Sequence, residues 1–354
     1  MKTRILLSGM DVHGQTIVTQ TALGNGKPEL RRWRNTPDGR KALIRYLKSH
    51  EAARIICAYE ASSVGFGLYD ELHEAGIECH VLAPTNMKRS QKDRKAKTDA
   101  KDALRILQEL RNHVFAGDRL PAVWIPDLET RDHRELVRAR LDLGKKISRV
   151  KAQVKSMLKR SRAEKPKEVG KAWTISYKNW LLGLCHGRSE GLMPCARMAL
   201  LSLLRNLKFL EHEEEILEHE IEKLSEEDRY RKPCLALKNM PGIGLLSAMV
   251  FLTELGDIGR FQNRRRLASY LGLIPSSFES GEEDDRKGHI THEGPPRIRK
   301  ILNQCTWARV RLVDRVNRKY ETMVHRNPKK KKIAIVALMR RLAIEMWQTS
   351  KKAL

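Results

Sequence analysis

Aromatic residues make up only 5% of the 354-residue sequence. So low a share works against an all-β sandwich, whose strands draw on aromatic and β-branched residues. It also works against base stacking as the main contact with single strands. Six cysteines are scattered at positions 57, 79, 185, 195, 234 and 305, with no C-x-x-C pair. That spacing excludes a disulfide framework or a structural zinc site and leaves free thiols in a reducing cytoplasm as the default. No apolar run reaches the roughly 18 residues of a membrane span. The apolar stretch near the N-terminus is too short for a signal-peptide core. Acidic residues are outnumbered: 43 Asp and Glu face 69 Lys and Arg, a formal charge of +26.

Such an excess suits a polyanionic partner, because phosphate neutralisation supplies most non-specific nucleic-acid affinity. The excess is segmental. Residues 85–101 hold seven bases (Lys88, Arg89, Lys92, Arg94, Lys95, Lys97 and Lys101) against Asp93 and Asp99. Residues 131–160 hold eleven bases and three acids, whereas residues 211–228 hold ten acids and one lysine. Hydrophobic residues, at 41%, suffice for ordinary cores, and the length predicts two or three domains.

The pattern along the chain predicts an α/β domain first. Residues 4–10 read as a buried strand, 16–22 as a second strand joined through a His13-Gly14 turn, and 29–34 as a third. Thr36-Pro37-Asp38 starts a helix. Residues 53–59 are a buried strand, followed by a helix at 64–75, a strand at 77–82 and a helix at about 98–112. Three strands, helix, strand, helix, strand is the order of a ribonuclease-H-like fold. Leu120 to Pro126 reads as an extended exit. Apolar residues at 136, 143, 147, 150, 154 and 157 then form a heptad seam with Arg140 in one slot. A second seam runs through Leu203, Leu207, Leu210, Leu217, Ile221 and Leu224, with Glu214 in one slot. One seam is basic and the other acidic, so they are natural partners, within a chain or between two. From Pro233 onward the chain reads as mostly helical, with a loop at 275–295 and helices at 263–271, 296–318 and 333–349. The expected domains are 1–126, 127–232 and 233–354, the middle one holding a poorly readable insertion at 161–199.

Four acids are placed for metal chemistry. Asp11 sits just past the first strand and Glu60 ends the fourth. Asp99 and Asp102 lie three apart, on one face of the helix that follows. In a ribonuclease-H-like sheet strands one and four are neighbours, so Asp11 and Glu60 converge and the helix brings the Asp pair over them. Four hard oxygen ligands suit one or two Mg²⁺ or Mn²⁺ ions, which can clamp the attacking and leaving oxygens of a phosphoryl displacement. Taken singly, each acid reads as a cap or surface residue; the joint arrangement carries the expectation. His13 and Tyr59 read as packing or ligand-supporting groups. Pro241-Gly-Ile-Gly244 reads either as a helix-hairpin-helix turn offering backbone N–H groups to phosphate or as a plain turn between helices. Composition does not choose among Ser276, Ser277 and Ser280.

These residues resemble the transposases of the insertion-sequence group numbered one-ten, relatives of the Piv-type DNA invertases. The N-terminal resemblance rests on Gly-Met-Asp11-Val-His, Glu60 and Thr98-Asp99-Ala-Lys-Asp102-Ala. The C-terminal one rests on Pro241-Gly-Ile-Gly, Leu271-Gly-Leu-Ile-Pro275, Ser280-Gly, Gly288-His-Ile290, Gly294 and Arg299. Glu279 where the family usually has serine, the acidic run 282–285 and Pro295-Pro296 depart from its pattern. The resemblance implies a RuvC-like first domain, a coiled-coil connector and a serine transposase domain with Ser280 as nucleophile. It implies attack on DNA that leaves a covalent 5′-phosphoserine and a free 3′-OH, with Mg²⁺ on the quartet. It further implies double-stranded donor and target DNA, a structured guide RNA, a homo-oligomer, no membrane, and a cytoplasmic, nucleoid-associated location. Two other classes compete: a junction-resolving nuclease using metal-activated water, and a non-catalytic nucleic-acid-binding protein.

Overall fold

The computed structural model describes residues 4–84, 98–188, 191–278, 286–291, 293–325 and 330–354. They divide into two compact units, Met1–Ile125 and Pro126–Leu354. Among them no helix is long and apolar enough to cross a membrane.

Among its described residues unit one has a five-stranded sheet and three helices: β1 Ile5–Val12, β2 Thr16–Leu23, β3 Glu29–Arg34, α1 Pro37–Lys48, β4 Arg54–Glu60, α2 Gly67–Glu74, β5 Glu78–Leu82 and α3 Asp99–Ala116. The strand order is β3-β2-β1-β4-β5. β2 pairs antiparallel with β1 and β3, while β4 runs parallel to β1 and β5. This is the ribonuclease-H-like order that the element sequence predicts. β1 extends further than the apolar run shows, so Asp11 lies inside the strand, opposite Val18.

β1 is buried on both faces, which accounts for its near-continuous apolar run. Leu6, Met10 and Val12 share a core with Leu43 and Leu47 of α1 and Leu68 and Leu72 of α2. Leu7 of β1 and Ile56 and Ala58 of β4 face the other way, onto Ile106, Leu107 and Leu110 of α3. The two-residue period assigns Gly9, Asp11 and Glu60 to that second face. Gly9 is where α3 comes closest. A Cβ there would stand 2.2 Å from the Ala103 carbonyl oxygen and 2.3 Å from the Leu107 nitrogen. Thr98 caps α3 by accepting from Lys101 N, and Gly117 ends it at φ 77°.

Unit two is helical. Its long members are α4 Leu128–Arg160 and α6 Pro194–Ser225, with α5 Ile175–Cys185 between them. Val137 clusters with Ile221 and Leu224, whereas Val154 and Leu158 cluster with Leu200. The order is reversed, so α4 and α6 run antiparallel within one chain. The polar residues in the two seams meet: Arg140 Nη1 lies 2.6 Å from Glu214 Oε1, and Arg140 also binds Glu218. Lys151 and Lys178 hold Glu211 at 3.0 and 2.8 Å. Burial raises the Glu211 carboxyl, but the two lysines win and hold it below its ordinary value. The buried positions at the seam ends are Val137 and Leu158 rather than Leu136 and Met157. Counted from Ile147, a straight helix of about 3.6 residues per turn drifts off the strict heptad far enough to bring Leu158 to the seam. The insertion contributes Trp173, Tyr177 and Trp180 to the apolar cluster at the far end.

The rest of unit two is α7 Asp228–Lys238, α8 Leu245–Leu255, α9 Arg264–Tyr270, the hairpin β6 Pro275–Phe278 and β7 Arg286–Ile290, α10 Pro296–Leu312, α11 Asp314–His325 and α12 Lys331–Ala353. Residues 248–255 of α8 are all buried. Arg134 of α4 donates to the Thr253 and Glu254 carbonyls at 2.8 Å each, satisfying acceptors at the end of α8. Two expectations are corrected here. The 275–295 segment is not all loop, because β6 and β7 pair antiparallel; four- and five-residue strands are too short for their alternation to register. The 296–318 helix is two helices, because Val313 takes an extended conformation at φ −126°.

Gly9→Ala should lower stability by roughly 1–3 kcal/mol, the range for overpacking, measured by equilibrium denaturation of the full chain. Breaking the Arg140–Glu214 pair with either single alanine should destabilise. Arg140→Leu with Glu214→Leu should unfold no earlier than wild type, since a largely desolvated pair is replaceable by apolar packing.

Candidate active site

Parallel pairing of β1 and β4 matches Met10 with Tyr59, so Asp11 and Glu60 stand one step on, at the same sheet edge. The buried stripe of α3 is Ala103, Ile106, Leu107 and Leu110. Asp99 and Asp102 extend that stripe by one turn, into the positive end of the helix dipole. Gln20 of β2 ties this turn down, its Nε2 lying 3.5 Å from the Ala100 carbonyl.

A cleft of about 180 Å³ opens at this edge, lined by Asp11, Glu60, Asp102, His13, Ser62 and Ser63 among others. Three of the four expected acids therefore line one cavity. Asp99 sits beside it, its carboxylate 3.7 Å from His13 Nε2 and 4.0 Å from Arg32. Ligand atoms of Asp11, His13 and Asp99 all lie within 4.8 Å of one another. Burial is the largest influence on Asp11 and raises its carboxyl above the ordinary range. His13 opposes this, and the charges of Asp102 and Asp99 add to it. Crowded, partly desolvated carboxylates of this kind fit a hard divalent cation, which relieves their repulsion.

Two further residues belong to this site, His13 in the supporting role that was one of its two readings and Arg105 beyond what spacing showed. His13 Nε2 lies 3.2 Å from Asp11 Oδ2, which places it beside the carboxylates rather than in the packing. Asn35 Nδ2 donates to the His13 carbonyl at 2.7 Å and fixes that turn. Arg105, one turn after Asp102, lies 3.3 Å from Glu60 and 3.4 Å from Asp102. It bridges strand and helix and offsets part of their charge. Its place three residues after Asp102, on the docking face, was the available signal.

Ser280 lies outside the described residues, as do Glu279, the acidic run 282–285 and the bases 88–97. Described residues before and after that segment are held by specific contacts. Ser276 donates to the His289 carbonyl at 3.0 Å, a structural use of its hydroxyl. Gly294, at φ 74°, has no room for a Cβ, which would stand 1.7 Å from the Tyr270 carbonyl oxygen. Arg299 Nη1 donates to the carbonyls of Leu271, Glu293 and Gly294 at 3.2, 2.7 and 3.1 Å. Gly242, at φ 81°, packs tightly on Ala308 and Arg309 of α10. Gly244, at the start of α8, shares a cavity with Glu215, Glu218 and Glu222, an acidic setting that opposes phosphate at that helix end.

Comparison with known proteins supplies the context. Residues 8–162 match a family model described as a transposase, of the DEDD group of IS110. Residues 234–321 match the model of the transposase IS116/IS110/IS902 family. Chain y4qE of Sinorhizobium fredii, named a transposase, is 32% identical over 302 residues, 84% of this chain and 70% of that one. The transposase for insertion sequence element IS1533 of Leptospira borgpetersenii is 29% identical over 311 residues, 87% and 86% of the two chains. The pilin gene-inverting protein of Moraxella lacunata is 31% identical over 133 residues, 36% and 39%. A Thermus thermophilus RuvC structure aligns with 33% of this chain and 99% of its own at 14% identity, with a TM-score of 0.25. The fold assignment rests on the strand order, not on that score.

Mg²⁺ or Mn²⁺ should raise the melting temperature of the full chain by a few degrees, as ligand linkage requires. In Asp11→Asn, thermal denaturation should start higher without metal, because a repelled carboxylate is gone, and should no longer respond to metal.

Proposed function

The chain belongs to the IS116/IS110/IS902 family of transposases, and on that premise we propose that it cuts and exchanges DNA strands through a covalent 5′-phosphoserine on Ser280, assisted by a divalent cation at Asp11, Glu60, Asp99 and Asp102. The observation that carries the metal half is the cleft in which Asp11, Glu60 and Asp102 converge, with Asp99 at its side. The serine half rests on family membership and on the Ser280-Gly match.

In the proposed step the Ser280 hydroxyl oxygen forms a bond to a backbone phosphorus and the bond from phosphorus to the 3′ oxygen breaks. The serine proton passes to solvent or a nearby base, and the departing 3′ oxygen takes up a proton. A bound Mg²⁺ would supply positive charge against the charge that develops on the phosphate oxygens. His13 holds the Asp11 carboxylate, and Arg105 holds Glu60 and Asp102 across the strand-helix gap. The excess of +26 favours approach of donor and target duplexes. A structured guide RNA that pairs with both DNAs, and a homo-oligomer that brings two sites together, complete the proposal.

The test is adduct formation. The protein is combined with its native flanking DNA, the RNA encoded there and Mg²⁺, then trimmed with nuclease and analysed by mass spectrometry. A nucleotide on Ser280 is expected, absent in Ser280→Ala, with cleavage slowed by about 10²–10³-fold in Glu60→Gln, the scale for losing one preorganised group at a transition state. Cleavage that persists in Ser280→Ala without adduct would replace this mechanism with metal-activated water.

A further inference from the structure

A second cavity among the described residues is far from the carboxylates in sequence. It measures about 700 Å³ and lies among α9, α10, α11 and α12. Two polar side chains on its α10 wall are buried without full satisfaction. Thr306, 1% exposed, has no partner for its hydroxyl, and Arg309, 9% exposed, has none for Nη1. The other terminal nitrogen of Arg309, Nη2, reaches both Glu345 oxygens at 3.2 Å. A buried donor left without an acceptor loses its hydration with nothing in return, so the persistence of these two asks for an acceptor that arrives from outside.

The rest of the lining says what that acceptor is. Arg264, Arg315, Lys319, Arg340 and Arg341 also face the cavity. None of these five forms an ion pair among the described residues, unlike Arg138, Arg140 and Lys151 of α4, which Glu254, Glu214 and Glu211 hold. Among the described residues Glu345 is the one carboxylate in the lining, and none of them there is an aromatic ring for a base to stack on. The floor is apolar, from Leu338, Leu342 and Val316, which strengthens any charge interaction above it. Recessed donors inside a ring of uncompensated cations, without aromatics, match a phosphodiester backbone read by charge and not by base. Gly242 fixes the α10 wall, since its backbone packs directly on Ala308 and Arg309.

We propose that this pocket is a phosphate-binding site for the backbone of a base-paired nucleic acid, with Thr306 and Arg309 donating to a recessed phosphate oxygen and the five outer cations following the strand. It rests on the transposase reading only for the source of the phosphate, which is either a DNA duplex or a paired segment of RNA.

The test is binding of the full chain to a labelled duplex DNA of random sequence and to a labelled RNA hairpin, across a salt series in chelator. Arg340→Ala with Arg341→Ala should weaken binding to at least one probe several-fold and reduce the slope of log K against log salt by about 0.9 for each duplex phosphate that is no longer neutralised. Thr306→Val keeps the shape of the side chain and removes the donor; it should weaken the same probe while melting no earlier than wild type. The probe that responds identifies the source. Unchanged affinity and slope on both probes in the arginine pair, or in Thr306→Val, would overturn the site. Chelator keeps strand cleavage silent, so failure here leaves the adduct experiment standing, and absence of an adduct leaves this result standing.

Discussion

The first unit depends on one close approach, the backbone of α3 against Gly9 of β1. A methyl group at that position would meet the Ala103 carbonyl and the Leu107 nitrogen. Because no side chain intervenes, the helix lies flat on the sheet, and its first turn arrives over the edge where β1 and β4 end. Strand alternation places Gly9, Asp11 and Glu60 on one face. Helical periodicity continues the docking stripe into Asp102 and Asp99. Packing and chemistry therefore share a cause: the contact that buries Leu107 and Leu110 also gathers the carboxylates. Their mutual repulsion works against folding, and the core beneath them offsets it.

The second unit uses charge differently. Arg140 and Glu214 each interrupt an apolar seam, and each would be a fault alone. Together they form a contact 2.6 Å long that opposes any other register of α4 against α6. The basic and acidic blocks largely cancel along these helices, which directs the net positive charge elsewhere. In the C-terminal bundle it collects without partners around Thr306 and Arg309. The same residue types are thus structural in one place and available to a polyanion in another, and the presence or absence of a carboxylate neighbour separates the two.

Much of this was legible in the sequence, for identifiable reasons. The sheet order followed from apolar runs separated by Gly, Pro and Asp signals. Asp11 and Glu60 were legible because both end buried strands that the fold makes neighbours, and the Asp pair because i, i+3 spacing shares a face. His13 was legible as a packing or ligand-supporting group, and only the crossing of strand and helix chooses between the two; Arg105 was missed because a single arginine on a helix has no periodicity. The β6–β7 hairpin and the break at Val313 escaped because each turns on the backbone of a few residues. The pocket of α9 to α12 joins residues as far apart in the chain as Arg264 and Gln348, a grouping that no local pattern encodes.

The central claim is that Asp11, Glu60 and Asp102 form a divalent-cation site. Anomalous diffraction from crystals grown with Mn²⁺ tests it most directly. The geometry predicts a peak inside the cleft these three residues line, in contact with their carboxylates and absent from Asp11→Asn. A cleft without a peak in Mn²⁺-saturated crystals, or a peak confined to Glu129 and His133 at the start of α4 with Glu227 just before α7, would contradict it.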